Sequence, residues 1–139
     1  VIQVLQDTAT SIVSLGGASW IDTGLSINIT PKYSNSKILV MLKQYFTFRT
    51  TTNAERQAEF RVLRDSSTQV GWQRINQWDQ DNSTNAYHGK LAGYDLMDSP
   101  GTTNQINYHV EMYLSGSAAD LYANHDGALS TLVAMEIKQ

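Results

Sequence analysis

Cysteine is absent from this chain of 139 residues, which excludes disulfides, zinc-thiolate sites and thiol catalysis together. Long apolar runs are missing too. The longest, Ile38 to Leu42, is five residues, far short of the roughly 20 that a membrane-spanning helix needs. No charge sign dominates: 10 Lys and Arg stand against 13 Asp and Glu, for a net charge of −3. The bases are scattered, and only Arg61 with Arg64 and Lys37 with Lys43 come near to pairing. A generic electrostatic grip on nucleic acid or an anionic membrane is therefore not expected. The chain begins at Val1 rather than Met and shows no signal-peptide pattern, so it reads as a processed product or a piece of a longer protein. Its length suits a single domain over 1–139.

The motifs of common chemistry are also missing. There is no glycine-rich dinucleotide turn, no phosphate loop, no nucleophile elbow and no His-Glu-x-x-His. Asp79-Gln80-Asp81-Asn82-Ser83 opens like a calcium loop. It then places Thr84 where a glycine is wanted and Lys90 where a bidentate Glu is required, so a solvated loop is the better reading. His88, His109 and His125 are far apart in sequence and read as surface histidines. Two glycosylation-type triplets, at Asn28 and Asn82, are short and common patterns. No cofactor, metal or enzymatic activity is expected.

What the sequence does carry is a period of two. Leu25, Ile27 and Ile29 alternate with Ser26, Asn28 and Thr30. Ile106, Tyr108, Val110, Met112 and Leu114 alternate with Asn107, His109, Glu111 and Tyr113. Side chains of successive strand residues point to opposite faces, so these are half-buried strands. Turns are marked at Thr30-Pro31, Ser34-Asn35-Ser36, Asp65-Ser66-Ser67, Asp98-Ser99-Pro100-Gly101, Ser115-Gly116-Ser117 and Asp126-Gly127. Strands are expected near 1–6, 18–29, 37–49, 58–64, 68–74, 86–96, 105–115, 119–124 and 130–138. Asn53 to Arg64 is rich in helix formers, yet Ala58, Phe60 and Val62 alternate with Glu59 and Arg61, which assigns strand with 50–57 as a loop. The even spacing predicts an all-β fold, an antiparallel β-sandwich of jelly-roll type.

Some strands are apolar on both parities. Along 37–49, Ile38, Val40, Leu42, Phe46 and Phe48 share one face, while Leu39, Met41 and Tyr45 share the other. Near the C-terminus Val133, Met135 and Ile137 oppose Leu132 and Ala134. A sheet with one wet face should alternate apolar with polar residues. The simplest second cover is another copy of the chain, and Leu39, Met41, Tyr45, Leu132 and Ala134 are the expected interface residues. The bland alternative is a central strand covered by its own loops.

Aromatic rings flank the polar stretch 79–86. Rings beside amides and carboxylates suit sugars: the ring stacks on a pyranose face and the polar groups bond its hydroxyls. Trp78, Asp79, Asp81, Asn82, Tyr87 and His88 are the candidate receptor contacts. Trp72 and Trp78 read first as core or rim residues, with Trp78, between Gln77 and Asp79, the better surface candidate.

Several stretches together carry a resemblance: Trp20 to Lys32, Ser36 to Val40, Phe60 to Asp65, Tyr94 to Thr103, Tyr108 to Met112 and Ser130 to Ile137. They resemble a β-rich domain of tailed-bacteriophage structural proteins, common in cyanophages and marine phages at the distal ends of tail fibres and other virion appendages. The resemblance implies a homotrimeric knob with a jelly-roll-like fold, forming the C-terminal domain of a fibre-type protein. It implies a place in the virion after assembly in the host cytoplasm, with partners among virion proteins and a host cell-surface glycan or protein. It implies trimerisation and receptor binding, or alternatively a capsid-decorating, head-fibre or joint role without a receptor. The shared positions are turns and core, so no functional residue carries over.

Overall fold

Among the described residues, ten strands and one short 3-10 turn make up the regular structure. A computed structural model describes residues 1–50, 54–79, 86–115 and 119–139. The strands are β1 Gln3–Ala9, β2 Val13–Leu15, β3 Ile21–Ile29, β4 Lys37–Thr50 and β5 Ala54–Arg64. They continue as β6 Thr68–Asp79, β7 Ala86–Asp98, β8 Ile106–Ser115, β9 Ala119–Ala123 and β10 Ser130–Ile137, with the 3-10 turn at His125–Gly127. All pairings are antiparallel.

The pairings nest. β1 pairs β10, β3 pairs β8, β4 pairs β7 and β5 pairs β6, so outer strands of the sequence close around inner ones. Rolling such a stack places β1-β10-β4-β7 in one sheet, which β9 and β2 extend to six strands, and β3-β8-β5-β6 in a second sheet of four, the jelly-roll arrangement. The expected all-β sandwich is thus the observed fold. β4 is central in the first sheet: β7 runs along one edge, while the other takes β10 over Lys37–Lys43 and β9 over Phe46–Thr50. β2 adds to the outer edge of β9.

Even residues of β4 point inward, as the alternation required: Ile38, Val40, Leu42, Phe46 and Phe48 are all buried. They meet Leu25, Ile27 and Ile29 from β3, Phe60 and Val62 from β5, and Val110, Met112 and Leu114 from β8. The core is split into two apolar clusters, and a polar belt lies near their boundary. In that belt the Gln44 amide donates to Asn124 Oδ1 and Ser130 Oγ, both at 2.9 Å. At one end of the sandwich Arg64 Nη1 bonds both oxygens of Asp98 at 2.8 Å, and the Tyr108 hydroxyl donates to Asp98 at 2.6 Å. This ties β5 and β8 to β7 across the two sheets. Burial, reinforced by the Asp98 carboxylate, pushes the Tyr108 phenol well above its ordinary value, so it stays a donor.

Three local features depart from the expectations. Residues 54–57 continue β5 rather than forming a loop, because β6 pairs with them up to Asp79. β2 is three residues long and was not foreseen. The Asp126-Gly127 turn is a 3-10 turn entered through Asn124 in the left-handed region, at φ 56°.

Candidate interaction faces

Antiparallel partners that stand directly opposite share a face of the sheet. The register therefore places β1-β10-β4-β7 side chains in rows. Val4, Met135, Leu39 and Met97 form one row across all four strands of the outer face. The next row is Gln6, Val133, Met41 and Asp95. Val4 and Met97 are exposed, while Leu39, Met41, Val133 and Met135 are half-buried by their neighbours. A shallow depression of about 380 Å³ opens beside them, lined by Gln6, Met41, Lys43, Asp95, Thr131 and Val133.

Further along this face the character changes. The Tyr45 ring lies over Gly89, where a Cβ would strike its hydroxyl, so glycine is what lets the ring lie flat. Tyr87 stacks on His125 with centroids 5.5 Å apart, and Arg49 pairs with Asp120 at 2.9 Å. Tyr45, Thr47, Tyr87, Gly89, His125 and Asp126 line a second open depression of about 440 Å³.

The outer face of β3-β8-β5-β6 is built differently. Rows pair Trp72 with Arg61, Arg74 with Glu59, Asn76 with Gln57, and Trp78 with Glu55. Glu59, largely buried, accepts from Trp72 Nε1 at 3.1 Å and from Arg74 at 2.8 and 3.1 Å. The Arg74 guanidinium sits 5.3 Å from the Trp72 ring centroid. Arg61 bonds Glu111 at 2.6 and 2.8 Å and lies 4.1 Å over Trp20, whose ring meets Tyr113 at 5.3 Å. His109 contacts Asn107 Oδ1 at 3.0 Å beside Glu111.

The structure does not gather the expected receptor contacts into one surface. Trp78 points outward from β6 in one sheet, whereas Tyr87 points outward from β7 in the other. His88 has the inward parity of β7 and is half-buried. Asp79 ends β6, and Asp81 and Asn82 lie outside the described residues. Neither Trp72 nor Trp78 is a core residue: they are 46% and 59% exposed. Sequence reasoning missed the Trp72–Glu59–Arg74 cluster. Its signal was Trp72, Arg74, Asn76 and Trp78 on one parity.

The interface expectation also needs correction. Leu132 and Ala134 are 0% exposed within a single chain, so they belong to the core and offer nothing to another copy. The cause is register: they stand opposite inward-facing Leu42 and Val40, which leaves Val133 and Met135 on the outer face beside Met41 and Leu39. Leu39, Met41 and Tyr45 do lie on that outer face. Among the described residues no group of three or more His, Asp or Glu could hold a metal ion.

No protein-family model matches the chain, and no curated protein sequence matches it either. Among solved structures, the chain is similar to several from infectious bursal disease virus. The viral particle is 18% identical with a TM-score of 0.46, covering 95% of this chain and 34% of that one. The VP2 subviral particle is 18% identical with a TM-score of 0.44, covering 95% and 36%. The Gt strain is 16% identical with a TM-score of 0.43, covering 99% and 38%. This chain thus spans about a third of the length of these solved chains, and values this low establish neither a shared family nor a shared function.

Proposed function

We propose that this chain is a non-enzymatic structural domain of a virus particle, which self-associates as a trimer and contributes to host attachment, as at the tip of a tail fibre. The observation that carries the self-association is the unbroken apolar row Val4, Met135, Leu39 and Met97 across the outer face of β1-β10-β4-β7. Isolated apolar side chains on a surface need no cover, but a contiguous apolar patch across a sheet favours association. Sequence resemblance to virion appendage domains supports the setting. Trimeric display also suits attachment, because linked weak contacts gain roughly 10² to 10⁴ in overall avidity.

Sedimentation velocity at micromolar concentration tests this. A species three times the mass of one chain is expected, and Leu39→Glu with Met97→Glu should return it to a folded monomer. A wild-type chain that sediments as a monomer would discard the reading. A trimer that binds other virion subunits but never host cells would instead assign a decorating or joint role.

A further inference from the structure

The two outer faces of the sandwich differ in kind. One carries Leu, Met and Val in rows, the composition of a protein contact. The rows of β6 and β5 on the other face hold indoles, amides, carboxylates and guanidinium groups, with no aliphatic side chain from Trp72 to Trp78. We infer that this β5–β6 face binds an extended, neutral oligosaccharide, with Trp72 and Trp78 as stacking platforms, Asn76, Gln57 and Arg74 as partners for hydroxyls between them, and Glu59 holding Trp72 and Arg74 in place. The inference deepens the attachment role proposed above and rests on it for its biological sense.

Three observations favour a sugar over other occupants. A pyranose offers C–H groups on its faces and hydroxyls around its edge, and an indole bordered by planar polar groups matches both. Trp72 and Trp78 are six residues apart on one parity of a strand, hence about 20 Å apart, the reach of an oligosaccharide and not of a single ring. Arg74 and Arg61 are paired with Glu59 and Glu111, so on this face the cations of these described rows are neutralised and call for no phosphate or acidic sugar. The same pairing argues against an anionic lipid surface. Trp72 is moreover held before any ligand arrives: its Nε1 bonds Glu59, and Arg74, fixed by the same carboxylate, lies over one face of its ring, which leaves the opposite face as the platform. A ring already ordered loses little entropy on binding.

Affinity electrophoresis of the full chain through gels containing neutral mannan, glucan, galactan or xylan, one at a time, provides the test. At least one polysaccharide should retard the chain. The matching hexasaccharide should quench tryptophan fluorescence. Trp78→Ala should weaken the affinity about tenfold or more, the cost of removing a central anchor, while Trp78→Phe keeps most of it. Trp78 stands opposite Glu55, two rows beyond the Glu59–Arg74 pair, so its loss spares the Trp72–Glu59–Arg74 cluster; circular dichroism confirms the fold. No retardation by any of the four polymers overturns the inference. So does retardation that Trp72→Ala and Trp78→Ala together leave unchanged, or Trp78-dependent binding to phosphatidylcholine vesicles without sugar binding. Sedimentation of the same samples separates the two ideas: a monomer that binds sugar discards self-association alone, and a trimer that binds none discards the sugar site alone.

Discussion

Glu136 is a fully buried carboxylate on a strand whose inward neighbours include Leu132 and Ala134. A buried charge survives only when its oxygens are satisfied. Here Gln3 Nε2 donates to Oε2 at 2.7 Å, and the backbone N–H groups of Lys32 and Tyr33 donate to Oε1 at 2.7 and 3.3 Å. Burial works against the charge, but the nearby Ser36 hydroxyl, the Gln3 amide and the two backbone donors outweigh it and hold the pKa below its ordinary 4.5. The unfolded chain therefore binds this proton more readily than the folded one. The stabilisation is fully present above the ordinary carboxyl value and fades as pH falls through the lower, folded value. Urea midpoints should drop across that acidic window. Glu136→Gln should lower stability by about 1–2 kcal/mol at neutral pH and flatten the acid decline, because one of the two acceptor oxygens becomes a donor: with the amide oxygen kept on the two backbone N–H groups, its NH2 meets the Gln3 donor. Equal pH slopes in both proteins would show that Glu136 is not the group responsible.

Among the elements, legibility followed pairing. β8 shows five alternations and was expected at 105–115; it runs from Ile106 to Ser115. It is flanked by β3 and β5 on its two sides, so its period is enforced along its whole length. β5 offered helix formers as well as alternation. Strand prevails because β6 and β8 bond both of its edges, and tertiary pairing overrides weak local propensity. β2 could not be read, since three residues hold no period. The link from β9 to β10 depends on one residue that sequence reasoning treated as ordinary. Asn124 takes the left-handed conformation, donates to Ser11 O and Thr23 O, and accepts from Gln44 and Ser130. Asn124→Ala should cost about 3 kcal/mol in chemical unfolding, from lost bonds and a strained backbone. Asn124→Gly should recover only the backbone share, so the two variants separate strain from hydrogen bonding. Identical losses would mean that the conformation itself costs nothing.

At the scale of the whole molecule, nested pairing makes the first strand a partner of the last. β1 lies along β10 over seven consecutive pairs, from Gln3↔Glu136 to Ala9↔Ser130. Contacts this distant in sequence must all close before the core forms, so folding belongs to the millisecond-to-second class of non-local β proteins. Deleting residues 1–9 bares the edge of β10 and removes Gln3 from Glu136. An unpaired edge beside an exposed core invites association between chains. The truncated chain should lose its cooperative thermal transition and aggregate; a sharp transition at the wild-type midpoint would show that β1 is dispensable.

The sequence by itself determined the class of the fold. An apolar period of two, broken by turn residues at regular intervals, leaves an antiparallel sandwich as the way to bury those faces. It also oriented β4 correctly, since an even parity running from Ile38 to Phe48 is the more continuous of the two. Only the tertiary structure decided which side of β10 is inside, because both of its parities are apolar and the choice lies with the partner: Leu132 follows Leu42, and Val133 follows Met41. The same holds for the aromatic residues. Trp72 and Trp78 share a face because they share a strand parity. Trp78 and Tyr87, close in sequence, are carried to opposite sides of the sandwich because β6 and β7 belong to different sheets. Periodicity fixes that a strand has two sides; which neighbour covers each side is a property of the pairing across the whole chain.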